Sequence, residues 1–213
     1  MQTFAETLFA SKKKSLHSSE RDTERVQKAR LQYLKEIEGL DLKRLKFIDE
    51  SGVNLAMTRL YGRAERGERA VGSIPKNYGS NVTMVATLGV KGLEAMITVD
   101  GATDGEIFLY YIKEVLCPTL KRGEIVIMDN LSAHKVKGVE EAIKGRGARV
   151  IYLPPYSPDL SPIERCWSKL KSYLRGVGAR TREELDEAIS EAIKTIRERD
   201  AWGWFAHCGY LAH

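Results

Sequence analysis

The chain has 213 residues, 43% hydrophobic and 30% charged, which is enough apolar material for one packed core and excludes wholesale disorder. A formal net charge of +5 tilts the balance towards an anionic partner such as nucleic acid, but a solvated basic surface explains a surplus of that size equally well. Cys117, Cys166 and Cys208 form neither a CxxC pair nor a Cys/His cluster, which argues against structural zinc and, with no disulfide framework, for a reducing, cytoplasmic setting.

Residues 1–44 are rich in charge, with a basic run at Lys12–Lys14 and helical spacing from about Ser19 to Glu38. Ser19 and Asp22 are candidate N-caps. The segment reads as a solvated helical arm or as a connector. The opening MQTFAETLFASKKK lacks the basic n-region of a signal peptide, and no apolar run reaches transmembrane length, so no membrane association is expected.

LKFIDE, residues 45–50, predicts a short strand ending in acids. Residues 52–80 are rich in Gly and Arg and poorly periodic. VTMVATLGV (82–90) and LEAMITV (93–99) read as a hairpin turning at Lys91-Gly92. Thr103 to Glu106 fits a capping box opening a helix over about 104–117. IVIM, residues 125–128, is a buried strand delivering Asp129, followed by a helix at about 136–145 and a strand VIYL at 150–153. PPYSPDLSP is a stiff loop, and helices are expected from Pro162 to about Arg175 and over about 181–199, the second capped by Thr181 and Glu184. The remaining residues, 201–213, form an aromatic tail. This order is that of an α/β fold: a mixed sheet flanked by helices.

Three carboxylates stand out. Asp49 and Asp129 each end an apolar strand, where an acid either aims into a cleft or merely opens a turn. Ser161-Pro162-Ile163-Glu164 reads as N-cap, N1, N2 and N3, so Glu164 has a structural explanation as the return half of a capping box. The same position would lay it over the strand tips, near a helix N-terminus that favours its ionised form. Three gathered acids suit Mg²⁺, a hard cation that binds through a few carboxylates plus substrate phosphate. Two such ions about 3.5–4 Å apart can activate a water or a 3′-hydroxyl and stabilise the leaving oxygen.

FIDESG (47–52), VIMDNLSAHK (126–135) and LPPYSPDLSPIERCWSKLK (153–171) together resemble the DDE transposases of the mariner superfamily, in its bacterial insertion-sequence branch. The 34 residues between Asp129 and Glu164 match that superfamily's habitual spacing, and the likeness runs from Leu45 to Arg175. The resemblance implies a ribonuclease-H-like catalytic domain, here residues 45–200, with Asp49, Asp129 and Glu164 as metal ligands and catalytic residues. It implies two Mg²⁺ ions, replaceable by Mn²⁺. The implied reactions are cleavage of double-stranded DNA at transposon ends and strand transfer into TA-containing target DNA, by a homodimer acting in a bacterial-type cytoplasm. Two departures stand against the pattern. Arg165 occupies a position commonly held by Asn, and residues 1–44 are too short for the family's helix-turn-helix recognition region, so that half is expected from a separate or frameshifted gene.

Around the triad, Asn130 and His134 are candidates to orient the site or touch DNA, with His134 equally readable as a helix-entry histidine. Lys171 shares a helix face with Glu164, and Arg59 and Arg63, in a stretch continuing to Arg66 and Arg69, could bind phosphates. Glu50 points to the opposite face of its strand and reads as structural. Trp167 reads as core in preference to base-stacking, Trp202, Trp204 and Phe205 as packing or a dimer contact, and Asp100 and Asp159 as turn residues. Two other functions compete: a ribonuclease-H-like nuclease for hybrids or junctions, and a non-catalytic DNA-binding or dimerising remnant that modulates a full-length transposase. The intact triad and the SPIER motif favour transposition over both. A phosphatase reading of IMDN fails because no second Asp stands two residues after Asp129.

Overall fold

The computed structural model describes residues 17–79 and 81–210; the Lys12–Lys14 run, the opening MQTFAETLFASKKK and residues 211–213 lie outside them. Strands β1 (Leu45–Val53), β2 (Val82–Gly89), β3 (Gly92–Asp100), β4 (Ile125–Met128) and β5 (Arg149–Tyr152) form one sheet in the order β3-β2-β1-β4-β5. β1, β2 and β3 pair antiparallel, while β1–β4 and β4–β5 pair parallel. This is the mixed sheet that the order of elements predicts. The helices are α1 (Glu24–Ile37), α2 (Gly105–Tyr110), α3 (Val139–Gly145), α4 (Pro162–Val177), α5 (Arg182–Lys194) and α6 (Glu198–His207), with α2 running on as a π-helical stretch over Tyr111–Leu116. No helix among the described residues is long and apolar enough to cross a membrane.

Strand alternation splits the apolar residues between two cores. Phe47, Met84, Ala86 and Ile127 face α4, α5 and α6, where Ile163, Trp167, Leu170, Leu185, Ile189 and Phe205 meet them. Ile48, Val85, Val126 and Met128 face the other way, onto Phe108, Tyr111, Val139 and Ile143 of α2, its π-helical extension and α3. The sheet is therefore buried on both sides, as its short apolar parallel strands require.

β1 does not stop at the acids. Its parallel ladder with β4 covers only Leu45–Phe47, but its antiparallel ladder with β2 continues to Val53. Asp49 thus sits mid-strand, beyond the reach of β4. The α3 helix begins at Val139 rather than near 136, because Ser132–Lys135 forms a separate 3-10 turn and Gly138, at φ 103°, makes a bend that suits glycine. Asp104, not Thr103, caps α2, accepting from the N–H groups of Glu106 and Ile107. The Thr181–Glu184 capping box forms as read.

The ends of the chain differ most from expectation. The described part of the arm packs against the domain: Val26 and Tyr33 of α1 are buried, and no side chain caps it, neither Ser19 nor Asp22 standing at its N-cap. The helix expected over 181–199 is two helices. Thr195 closes α5 and Asp200 accepts from Arg197 N–H to open α6, while Lys169 of α4 binds both Thr195 O (2.8 Å) and Asp200 Oδ2 (2.6 Å), fixing the break. Residues 201–207 are consequently helical, and Phe205 and Tyr210 pack edge-on to Phe47 at 5.3 and 5.2 Å.

Candidate active site

The sheet register explains how two of the acids meet. Phe47 of β1 pairs with Ile127 of β4, and each strand carries an Asp two residues further on the same face. α4 then begins beside those tips, and the first turn brings Glu164 to them. Asp49, Asp129 and Glu164 line one cleft of about 390 Å³, together with Asn130, Pro154 and Tyr156. Ser161 makes no side-chain cap to α4, and Glu164 does not return to it; the two are joined through backbone, Glu164 N–H to Ser161 O at 3.2 Å. The capping explanation of Glu164 is therefore not realised, and its carboxylate is left for the cleft.

The acids feel one another. Burial, reinforced by the charge of Glu164, pushes Asp49 up to about 7, against the pull of hydrogen bonds from backbone and from Trp167. Burial and the charge of Asp129 raise Glu164 as well, while Lys171 draws it down. Lys171 thus acts on the acid whose helix face it was expected to share.

The two strand acids are also held. Trp167 Nε1 donates to Asp49 Oδ2 at 2.9 Å, a role that reading Trp167 only as core missed, although the ring is indeed buried. The backbone N–H of Leu131, not the side chain of Asn130, donates to Asp129 Oδ1 at 3.1 Å. Behind Asp129, His134 is wholly buried and stacked on Phe108 at 4.1 Å. Its Nε2 faces both oxygens of Glu50 at 3.1 Å, and its Nδ1 lies 2.5 Å from Asp129 Oδ1. That second contact is off the ring N–H axis, so it is an ionic contact and leaves Nδ1 without an aligned hydrogen bond. Burial alone would lower the imidazole, but Asp129 and Glu50 together hold it up at about 9. Glu50 does point to the opposite face from Asp49, yet through His134 it touches the site. Alternation signals the face but not the partner.

The remaining candidates spread around the cleft. Asn130 lines it. Arg59 and Tyr61 line a larger groove of about 1180 Å³ with Arg165, Lys169 and Tyr173 of α4; Arg63 is exposed and outside that lining. Arg165 contacts His207 of α6 and borders a neighbouring cleft with Glu164, not the one holding Asp49 and Asp129. Asp100 pairs with Arg182, and Asp159 with Arg21 and Arg30. Trp202 and Trp204 pack against the α4–α6 core.

Among the described residues no three His, Cys, Asp or Glu side chains are drawn close enough to form a metal cluster. The donors nonetheless fit a hard divalent cation. They are oxygen ligands, they share one cleft, and Asp49, raised by burial first and by the charge of Glu164 second, is a carboxylate whose ionised form a bound cation would favour.

Residues 44–186 match the model of a family described as DDE superfamily endonuclease. The chain belongs to that superfamily. The Transposable element Tcb2 transposase of Caenorhabditis briggsae is 22% identical over 125 residues, which are 57% of this chain and 46% of that protein. A pre-cleavage Mos1 transpososome superposes with a TM-score of 0.76 at 15% identity, covering 96% of this chain and 65% of that one. A Mos1 mariner paired end complex with Mn gives 0.74 at 15% identity, again 96% and 65%. The chain spans about half the length of the curated relative and less than two thirds of those Mos1 chains. These likenesses establish the ribonuclease-H-like fold expected from the sequence.

Proposed function

We propose that this chain is the catalytic domain of a mariner-superfamily transposase, in the bacterial insertion-sequence branch, and that Asp49, Asp129 and Glu164 are its catalytic metal ligands. The observation that carries the reading is the convergence of these acids from β1, β4 and α4 into one cleft, with Glu164 released from capping. The superfamily membership and the transposase relatives support it.

Asp49, Asp129 and Glu164 would hold two Mg²⁺ ions, or Mn²⁺ in their place. Bound there, such ions supply activation of a water or 3′-hydroxyl and stabilisation of the leaving oxygen. The protein's part is orientation. Trp167 fixes one oxygen of Asp49, Leu131 N–H fixes one of Asp129, and His134, backed by Glu50, holds Asp129 from behind. Lys171 stands near Glu164 to neutralise backbone phosphate beside the site. Arg59, Arg165 and Arg175, with Tyr61 and Tyr173, offer a basic and aromatic groove for the flanking duplex. The reading includes a homodimer that pairs two transposon ends, a TA target, action on DNA in a bacterial-type cytoplasm, residues 1–44 as a link to a DNA-recognition region, and residues 45–200 as the catalytic unit.

The test is cleavage and joining of DNA carrying the element's own ends, with Mg²⁺ or Mn²⁺ and the recognition half supplied, comparing wild type with Asp129→Ala. Metal-dependent joining that disappears in the variant is expected. Equal inactivity of both proteins would replace the reading with a non-catalytic remnant.

A further inference from the structure

The loop leading into Glu164, residues 153–161, carries Pro154, Pro155 and Pro158, and Pro162 follows it. Tyr156 within it adopts φ 54°, a backbone region that a non-glycine residue holds only when its surroundings enforce it. The same loop is tied to segments far away in sequence. Arg30 of α1 grips Asp159 in a two-point fork, Nη1 to Oδ1 at 3.0 Å and Nη2 to Oδ2 at 2.8 Å, and Arg21 adds a third bond at 3.1 Å. The Arg30 side chain is 11% exposed and that of Asp159 39%, so the fork is shielded on the arginine side only, and its two-point geometry is what sets it apart from a single-contact surface pair. One residue on, Leu160 O accepts from Tyr210 Oη at 2.7 Å. Tyr210, its proton so committed, receives Tyr33 Oη of α1 at 2.6 Å in a buried relay. Two independent ties therefore run from α1 to adjacent residues of the loop, and Glu164 stands five residues after Asp159.

We propose that Asp159 is a positioning residue, coupling the seating of α1 to the placement of Glu164. The proposal rests on the reading of Glu164 as a metal ligand. It gives Asp159 a purpose that a turn does not need, since the 3-10 turn at Pro158–Leu160 closes through backbone bonds alone, Leu160 N–H to Ser157 O and Ser161 N–H to Pro158 O, both 3.0 Å. It also makes α1 a control point: whatever lifts α1 from the domain loosens the carboxylate that comes from α4.

The test measures Mn²⁺ binding by isothermal titration calorimetry on the full chain, with the thermal midpoint in EDTA alongside. The variants are Arg30→Ala, Arg30→Lys, Asp159→Asn and Glu164→Gln. Arg30→Ala and Asp159→Asn are expected to weaken Mn²⁺ binding about tenfold, the usual effect of removing a partner that orients a ligand. Arg30→Lys, which keeps the charge but not the fork, should recover part of that loss. In the DNA cleavage assay kcat should fall in the same order while KM for DNA stays put. A lowered thermal midpoint with Mn²⁺ binding and kcat unchanged would overturn the coupling and leave the metal site standing. Equal Mn²⁺ binding by wild type and Glu164→Gln would overturn the metal reading, and this proposal with it.

Discussion

Asp49→Asn should make the metal-free protein more stable, and only above mildly acidic pH. Asp49 is held at about 7 against an ordinary 3.8, roughly three pH units, so its ionised form costs the folded state at most ~4 kcal/mol at 1.36 kcal/mol per unit. Water entry and relaxation of Glu164 reduce that to roughly 1–3 kcal/mol. The sign follows from proton counting. Below about pH 4 the residue is protonated both folded and unfolded, and it costs nothing. Between 4 and 7 the unfolded chain loses the proton that the folded one keeps, so stability falls as pH rises; above 7 the loss is complete. Asparagine carries no such penalty, and its carbonyl can still accept from Trp167 Nε1. Differential scanning fluorimetry in EDTA should give equal midpoints at pH 4. By pH 8 the variant should melt about 2–12 °C higher, at 2–4 °C per kcal/mol for a chain of this size. Added Mn²⁺ should then raise the wild type and not the variant. A gap that does not change with pH, or a variant less stable at pH 8, would refute the argument that Asp49 is strained by burial and by Glu164.

Trp167→Phe should keep most of the core but release Asp49 Oδ2, costing about 1–3 kcal/mol in urea unfolding and weakening Mn²⁺ binding. His134→Gln tests the contact behind Asp129. The imidazole is held at about 9, so its stabilising charge is fully present below 6.5 and lost as pH rises through 9; the stability gap between wild type and variant should close over that window. Phe205→Ala should cost about 3–5 kcal/mol by denaturant titration, because its ring is buried against Phe47 and Tyr210; a cost near zero would return residues 201–210 to the status of a tail.

What the sequence made legible was what periodicity and local chemistry encode. IVIM is β4 to the residue, the 82–99 hairpin forms, and the Thr181–Glu184 box opens α5. That Asp49, Asp129 and Glu164 belong together was implied by the family resemblance, since position alone left Glu164 equally readable as a cap; the three do line one cleft. What failed was tertiary in origin. β1 runs on past its apolar residues because β2 supplies Met84 and Thr83 as partners for Ser51 and Gly52. The α5–α6 break depends on Lys169 reaching across from α4, which no local pattern announces. Glu50 and Trp167 were placed on the correct faces, yet their partners, His134 and Asp49, lie 84 and 118 residues away. Alternation states where a side chain points; only the closed fold states what it meets.

Phe47 stands two residues before Asp49, and the rings that pin it, Phe205 and Tyr210, come from beyond α5. A growing chain therefore carries both strand acids long before it carries the floor beneath β1. Fragments released early from the ribosome would hold Asp49 on an unsupported strand, without Glu164 if they stop short of α4. On the proposed reading, a product that stops before α6 lacks the aromatic rings that pin Phe47, and one that stops before α4 lacks Glu164 as well.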